Sequence, residues 1–254
     1  MARWLIVFAC GLLCGCRSTP APSRSEVTVA AAANLTDVFA KIGPAFESQT
    51  NIHPVFSFAS TAQLAQQIEN GAPFDVFTAA DASHVADLDR KGLLVPGSRV
   101  VYARGVLALW IPPSSRADIS TLDGLKSPAV RTVAIAKPEL APYGQAALET
   151  LRRLGIWDAI QPKVVYAENI SMARQYGQSK NADAVFTAYS LVLHESGRLI
   201  PVDEDLHQPI DQSLGIVAKS QHQAAARKFV DYLLKGDGRA MLESFGYRVG
   251  TKAQ

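Results

Sequence analysis

The chain has 254 residues, of which 48% are hydrophobic and 19% are charged, and its formal net charge is +2. A disordered chain is poorer in apolar residues and further from neutrality, and a nucleic-acid-binding domain carries a strong basic excess, so the composition argues against both classes. The length suits one large domain or two smaller ones that each bury a core.

A short apolar segment opens the chain. Residues 1–16 contain one arginine, then an apolar run over residues 4–13, and end with Leu13-Cys14-Gly15-Cys16. This pattern is typical of a secretory signal. The apolar run is too short for a membrane span, which needs roughly 20 residues. The last four residues resemble a bacterial lipobox, which predicts a lipid anchor on Cys16; cleavage nearby with a soluble product is the alternative.

Residues 17–25 are rich in proline and serine and predict a flexible tether between this leader and a folded body. All three cysteines of the chain lie at or before Cys16. No cysteine pair is therefore expected in the folded body, although the compartment is oxidising.

From residue 27 onward, short apolar runs alternate with helical periods. The predicted strands are 27–31, 53–58, 75–78, 106–111, 132–136, 163–166 and 184–187. The predicted helices are 35–48, 61–69, 83–91, 144–154, 172–178, 224–234 and 239–245. Such alternation predicts parallel sheets covered by helices. The segment Asp75-Val-Phe-Thr-Ala79 recurs with one inserted residue at 183–188, which favours two similar α/β lobes.

Motifs of catalysis are missing from the sequence. The chain contains no G-x-S-x-G, H-E-x-x-H, G-x-x-x-x-G-K-[ST] or G-x-G-x-x-G pattern, and its five histidines show no metal-ligand spacing. An enzyme would need a nucleophile with a base, or a metal site. The sequence therefore predicts a protein that is not an enzyme and carries no cofactor or directly bound metal.

The informative positions are those where a predicted strand ends and a helix begins. Four such junctions lie at 30–37, 58–64, 141–145 and 169–172, with Asn34 and Ser60 as capping residues in the first two. Ligands of open α/β sheets bind beyond the carboxyl ends of the strands, and a helix start attracts an anion. Four junctions, two in each lobe, predict a shared anion site; a plain helix cap is the alternative for each one alone.

Six blocks around these junctions are characteristic in order and spacing: AAANLT at 31–36, FAST at 58–61, QIENGAP at 67–73, DVFTAAD at 75–81, APYG at 141–144 and FGY at 245–247. With them the sequence resembles the periplasmic molybdate-binding proteins of bacterial ABC transporters over about residues 27–249. The resemblance implies an α/β protein with the two-lobed type II periplasmic binding-protein fold. Each lobe would be a mostly parallel sheet flanked by helices, with the ligand in the cleft between the lobes.

The resemblance also implies a domain division and a function. Lobe one would be residues 26–103 and 213–254, and lobe two residues 104–212, with crossings near 103–105 and 211–214. The protein would be a monomer that binds molybdate or tungstate in the periplasm and delivers it to a permease of the inner membrane. A receptor for sulfate or another tetrahedral oxyanion is the alternative, and a secreted α/β enzyme is a more distant one.

Ligand-binding positions follow residue by residue from the family's pattern. They are Ala33, Asn34, Ser60, Thr61, Tyr143 and Ile170, with Asn169, Phe186 and Thr187 as further candidates. Many members carry serine where Asn34 stands, and we expect the amide N–H₂ of Asn34 to donate to the oxyanion instead. Many also carry tyrosine where Phe186 stands, so we expect Tyr143 to supply the phenol and Phe186 to line the wall. The Thr187 hydroxyl is short for such a contact.

None of the four junctions contains lysine or arginine. A bound dianion would therefore be held by neutral donors and helix N-termini, which must surround it because an unpaired buried charge is costly. Monohydrogen phosphate carries a proton that needs an acceptor, so a cage made only of donors disfavours it. Sulfate has no such proton, and its rejection would depend on the size of the cavity.

Overall fold

The computed structural model describes residues 25–250. The signal segment, the lipobox-like Cys16 and the tether up to residue 24 lie outside these described residues. The strands are β1 Ser25–Ala32, β2 Ile52–Ala59, β3 Val76–Ala79, β4 Val100–Gly105, β5 Leu107–Ile111, β6 Val133–Ala136, β7 Val164–Ala167, β8 Ala184–Ala188, β9 Arg198–Pro201 and β10 Ile210–Ile216. The helices are α1 Thr36–Thr50, α2 Thr61–Glu69, α3 Ser83–Arg90, α4 Pro142–Arg153, α5 Trp157–Ile160, α6 Ile170–Gln178, α7 Tyr189–Val192, α8 Gln223–Leu234 and α9 Asp237–Ser244.

Two five-stranded sheets organise the molecule. The first has the order β2-β1-β3-β10-β4 and the second the order β7-β6-β8-β5-β9. In each sheet the first three strands are parallel, and the fourth, β10 or β5, runs antiparallel to both of its neighbours. Helices flank both sheets, so the predicted α/β fold with two lobes is confirmed.

The chain passes between the sheets twice. It leaves the first sheet after Gly105 and enters the second at Leu107; it leaves the second after Pro201 and returns at Ile210. Residues 104–105 pair with residues 210–211 inside the first sheet, so this sheet extends slightly past the lobe boundaries predicted from the sequence.

The recurring D-(A)-V-F-T-A segment marks equivalent places in the two lobes. It forms β3 and β8, and each is the central strand of its sheet. The aspartate before each strand accepts main-chain hydrogen bonds from a neighbouring segment. Asp75 Oδ2 accepts from Thr28 N within β1 at 2.8 Å, and Asp183 Oδ2 accepts from Arg131 N at 2.8 Å and Thr132 N at 3.0 Å, just before β6. The repeat therefore reflects a shared structural role of the two carboxylates.

An aromatic cluster fills the core of the first lobe and joins distant segments of the chain. Phe39 and Phe46 of α1 each pack edge-on against Phe229 of α8, with ring centroids 5.8 and 5.2 Å apart. Phe56 of β2 completes the group, 4.9 Å from Phe39. Aromatic rings prefer such tilted and edge-to-face contacts and bury a large area, so they fix helix α8, which follows the return strand, to the first lobe.

The second lobe has its own core, in which Trp110 of β5 and Phe186 of β8 are fully buried. Its packing needs a residue without a side chain at Gly177 of α6, because a Cβ there would lie 2.6 Å from the Trp110 ring. Within residues 25–250, none of the helices is both long and apolar enough to cross a membrane.

Three strands were not predicted from the sequence: β4, β9 and β10. Strand β10 reads IDQSLGI, and its central Gln212 and Ser213 are polar although both are buried. Polar residues interrupt the apolar pattern by which a buried strand is recognised, and β9 ends in a proline at a sheet edge. The helix predicted at 61–69 has the same bounds as α2.

Candidate anion-binding site

The four predicted junctions meet between the two sheets. Strands β1 and β2 end at the turn Ala33–Leu35 and at α2, and strands β6 and β7 end before α4 and α6. All four are parallel strands within their sheets, so the junctions lie beyond their carboxyl ends, where α/β proteins bind ligands.

Direct hydrogen bonds connect the two lobes at these junctions. Ala62 N, at the start of α2, donates to Leu140 O, just before α4, at 3.2 Å. Ser171 Oγ, at the start of α6, donates to Ala33 O at 2.7 Å. The cleft is therefore closed in this structure, and each of the six main candidates is no more than 3% exposed.

Asn34 lies in a 3-10 turn, Ala33–Leu35, that continues β1. Its Nδ2 donates to Gln212 Oε1 at 2.8 Å and to the Tyr247 hydroxyl at 2.9 Å. These bonds use both hydrogens of the amide, so the expected donation of the Asn34 N–H₂ to an oxyanion does not hold in this structure. The main-chain N–H groups of Ala33 and Asn34 are the donors that remain, because the first N–H groups of a helical turn have no acceptor inside it.

Ser60 and Thr61 begin α2 and differ in the hydrogen that each can offer. Ser60 Oγ donates to Gln63 Oε1 at 2.7 Å, and Ser60 N approaches the same oxygen at 3.3 Å, so this side chain serves the helix start. Thr61 Oγ1 instead accepts from Ala80 N at 3.1 Å. The accepted bond leaves the hydroxyl hydrogen of Thr61 available to a ligand.

Tyr143 occupies the first turn of α4 and directs its ring towards the first sheet. A Cβ placed on Gly105 would lie 2.0 Å from the Tyr143 hydroxyl, so the absence of a side chain at Gly105 makes room for the phenol. A Cβ on Gly144 would lie 2.1 Å from Ala136 O, so this glycine lets α4 begin directly at the end of β6. Among the described residues, the buried Tyr143 hydroxyl makes no hydrogen bond of good geometry, and the side chain that it contacts is that of Asn34.

Ile170 is the first residue of α6 and is 3% exposed. The preceding Asn169 caps the helix, because its Oδ1 accepts from Met172 N at 2.9 Å. Its side-chain carbonyl is therefore engaged, whereas the main-chain N–H groups at Ile170 and Ser171 belong to the free first turn.

Phe186 and Thr187 are neighbours in β8, so their side chains point to opposite faces of the sheet. Phe186 is part of the second-lobe core. Thr187 Oγ1 is buried and, within residues 25–250, has no hydrogen-bond partner. The equivalent hydroxyl in the first lobe, that of Thr78, donates to Ala30 O at 3.3 Å.

Cations near the junctions are paired with carboxylates. Arg174 of α6 forms a two-point contact with Asp37 of α1 and also donates to Leu191 O at 2.8 Å. Lys137, after β6, pairs with Glu168. In the described part of the chain, no group of three histidine, cysteine or acidic side chains could hold a metal ion. Neutral donors and helix starts thus form the polar lining of the junctions.

A cavity of about 440 Å³ opens between the lobes next to the start of α4. Acidic residues from both lobes line it, namely Asp81, Glu139, Glu149 and Asp211. Asp211 pairs with Arg104 and Asp81 with His84, and this last contact raises the pKa of His84. Carboxylates disfavour an anion, so this cavity is a poor place for the anion although Ala141, Pro142 and Gln145 of the third junction also line it.

Three buried residues of this region were missed by the sequence-based site prediction: Gln212, Tyr247 and Ser190. Ser190 of α7 donates to the Tyr247 hydroxyl at 3.1 Å, and Tyr247 donates to Asn34 O at 2.8 Å. Had strand β10 been predicted, its buried Gln212 would have been the signal, since a buried polar residue needs a partner.

Comparison with known proteins identifies the family of this chain. A model described as bacterial extracellular solute-binding protein matches residues 27–248. The chain belongs to this family. Among curated solute-binding proteins, the molybdate-binding protein ModA of Rhodobacter capsulatus is 36% identical over 226 residues, covering 89% of each chain. The molybdate-binding protein ModA of Azotobacter vinelandii is 36% identical over 252 residues, covering 97% of each.

Solved structures of solute-binding proteins share the fold. The periplasmic molybdate-binding protein of Azotobacter vinelandii superposes with a TM-score of 0.83 at 29% identity, covering 89% of this chain and all of the other. The sulfate-binding protein SubI of Mycobacterium tuberculosis superposes with a TM-score of 0.74 at 14% identity, covering 89% of this chain and 87% of the other. At that identity the likeness concerns the fold alone.

Three buried phenols near the junctions predict a loss of stability at high pH. Burial raises the pKa of Tyr102, Tyr143 and Tyr247 above the ordinary value of about 10. Above that pH the unfolded chain releases these protons and the folded protein keeps them. The free energy of unfolding should therefore fall by up to about 1.4 kcal/mol per pH unit for each phenol.

Urea unfolding measured between pH 9 and 11.5 checks this expectation. Tyr102→Phe removes one of the three phenols and should make the decline shallower than in the wild type. An equal slope in both proteins would contradict the assignment of the pH effect to these residues.

Proposed function

We propose that this chain is a periplasmic receptor for molybdate, and for the nearly isosteric tungstate, which it delivers to an ABC permease of the inner membrane. The observation that carries the proposal is the set of uncharged donors from both lobes at one closed cleft. The relatives at 36% identity are named molybdate-binding proteins, which supports the same ligand here.

The anion would be held by main-chain and hydroxyl donors. From the first lobe these are the N–H groups of the Ala33–Asn34 turn and the start of α2, where Thr61 has a free hydroxyl hydrogen. From the second lobe they are the N–H groups at Tyr143 and Ile170. Helix starts carry about half a positive charge, so α2, α4 and α6 stabilise a dianion without a salt bridge.

Two buried hydroxyls fit this reading. Within the described part of the chain, the Thr187 hydroxyl has no hydrogen-bond partner, and the Tyr143 hydroxyl makes no hydrogen bond of good geometry. An unsatisfied buried hydroxyl costs about 1–3 kcal/mol, so each is a candidate donor to a ligand. The Tyr143 phenol is the stronger candidate, because it lies against Gly105 of β4 and the Asn34 side chain, where the two lobes meet.

Calorimetric titration of the purified protein with molybdate, tungstate, sulfate and phosphate tests the ligand. We expect molybdate and tungstate to bind tightly. Sulfate is smaller and leaves at least one donor unmatched, which should weaken its binding about 5- to 150-fold. Tight binding of sulfate without binding of molybdate would refute the proposed ligand and favour the sulfate-receptor alternative. Turnover of a substrate would favour an enzyme.

Closure over the anion would depend on α6. This helix presents Ile170 N–H to the ligand, and Ser171 and Arg174, one turn on, contact Ala33 and Asp37 of the first lobe. The Arg174 side chain is 14% exposed and makes a two-point contact with the carboxylate. Paired, planar contacts of this kind are stronger than ordinary surface ion pairs.

Asp37→Asn removes the charge of this contact and should weaken molybdate binding about 5- to 10-fold, because only the closed form is stabilised by it. The dissociation rate, measured by stopped-flow fluorescence, should rise in parallel. Asp118→Asn is the matched control, since Asp118 pairs with Arg198 inside the second lobe. Equal effects of the two substitutions would argue against a role in closure.

The location would follow from the leader. A lipid on Cys16 would hold the mature chain on a membrane through the tether 17–25. Strand β1 begins at Ser25 and runs towards the junctions, so Ser25 lies at the end of the first sheet opposite the cleft.

Cys16→Ser should move the protein from the membrane fraction to the soluble periplasmic fraction, as judged by immunoblot of fractionated cells. The wild type provides the reference, and Cys14→Ser should keep the wild-type distribution. Persistent membrane association of Cys16→Ser would count against the anchor.

A further inference from the structure

A buried hydrogen-bond chain runs behind the candidate site and joins five separate segments. Gln212 of β10 donates through Nε2 to Ala80 O at 3.3 Å and to Ile210 O at 3.2 Å. Its Oε1 accepts from Asn34 Nδ2 at 2.8 Å. Tyr247, after α9, and Ser190, in α7, complete the chain on the other side of Asn34.

The chemistry of the acceptors fixes the orientation of both amides. The main-chain carbonyls of Ala80 and Ile210 accept and cannot donate, so Gln212 must turn its N–H₂ towards them. Gln212 Oε1 is thereby directed at Asn34 and can only accept, so Asn34 must donate to it through its own N–H₂. The order of donors and acceptors thus follows from the two carbonyl groups.

The Tyr247 hydroxyl makes every hydrogen bond that a phenol can make. It donates its hydrogen to Asn34 O at 2.8 Å, and it accepts from Asn34 Nδ2 at 2.9 Å and from Ser190 Oγ at 3.1 Å. A phenol has one hydrogen and two lone pairs, so all three are used. Tyr247 therefore holds Asn34 through both its side chain and its main chain.

We propose that Gln212 and Tyr247 are positioning residues of the anion site: they hold the Asn34 turn so that its main-chain N–H groups face the cleft. Ser190 belongs to the second lobe, so its bond to Tyr247 links the orientation of this turn to closure. This inference rests on the proposed oxyanion binding, and it assigns to residues remote from the ligand a role in affinity.

Tyr247→Phe tests the inference and has a close internal control. The substitution removes the hydroxyl and leaves the ring, so molybdate affinity measured by calorimetry should fall about 5- to 10-fold. Tyr232→Phe removes the hydroxyl of another buried tyrosine, in α8, which packs against Phe46 and whose hydroxyl has no hydrogen-bond partner within residues 25–250. Its molybdate affinity should match that of the wild type within about twofold.

Ser190→Ala separates positioning from general stability. The Ser190 contact crosses between the lobes, so its loss should speed molybdate dissociation while the thermal midpoint of the ligand-free protein stays unchanged. In the Tyr247→Phe background the same change should add little, because both substitutions break one chain of hydrogen bonds.

The outcomes separate this inference from the proposed function. If the wild type binds molybdate and Tyr247→Phe binds it equally well, the positioning role is overturned and the receptor function stands. Equal losses of affinity in Tyr247→Phe and Tyr232→Phe would also overturn it, since they would reflect packing. If the wild type binds none of molybdate, tungstate, sulfate and phosphate, the proposed function falls and this inference falls with it.

Discussion

Asn34 lies where the two lobes meet and is buried, so its side-chain N–H₂ and its main-chain carbonyl need partners within the protein. A buried donor or acceptor without a partner costs about 1–3 kcal/mol, which is a large share of the stability of a domain. Much of the surrounding architecture serves this requirement. The return strand supplies Gln212, the C-terminal segment supplies Tyr247, and the second lobe supplies Ser190 and Ser171.

Because the Asn34 side chain is buried and hydrogen-bonded, holding the turn in place and contacting the anion fall to different groups of this residue. The Asn34 amide is committed to the protein, so contact with an anion falls to the main chain of its turn. Main-chain N–H groups carry no charge and do not titrate, and their direction is set by the fold. On the opposite side, α6 combines a free helix start with the cross-lobe contacts of Ser171 and Arg174, which links the polar lining to closure.

Local patterns were sufficient for the fold class and for the positions of the junctions. The bounds of α2, the repeat at β3 and β8, and the approach of all four junctions follow from residues close in sequence and from the rule for strand ends. The use of the Asn34 amide could not be foreseen, because its partners lie 178 and 213 residues away. Strand β10 was missed for a related reason: Gln212 makes it look polar, and only the assembled structure provides the partners that permit its burial.

The order of strands in the first sheet has a consequence for folding. All five strands of the second sheet come from one uninterrupted stretch of the chain, 107–201. In the first sheet, β4 pairs with β10, and this whole stretch lies between them in the sequence. The first sheet therefore stays incomplete during synthesis until the whole second lobe has been made. A second lobe that folds early would draw the ends of its own segment together and lower the entropy cost of pairing β4 with β10. The lobe that is begun first would thus be completed last.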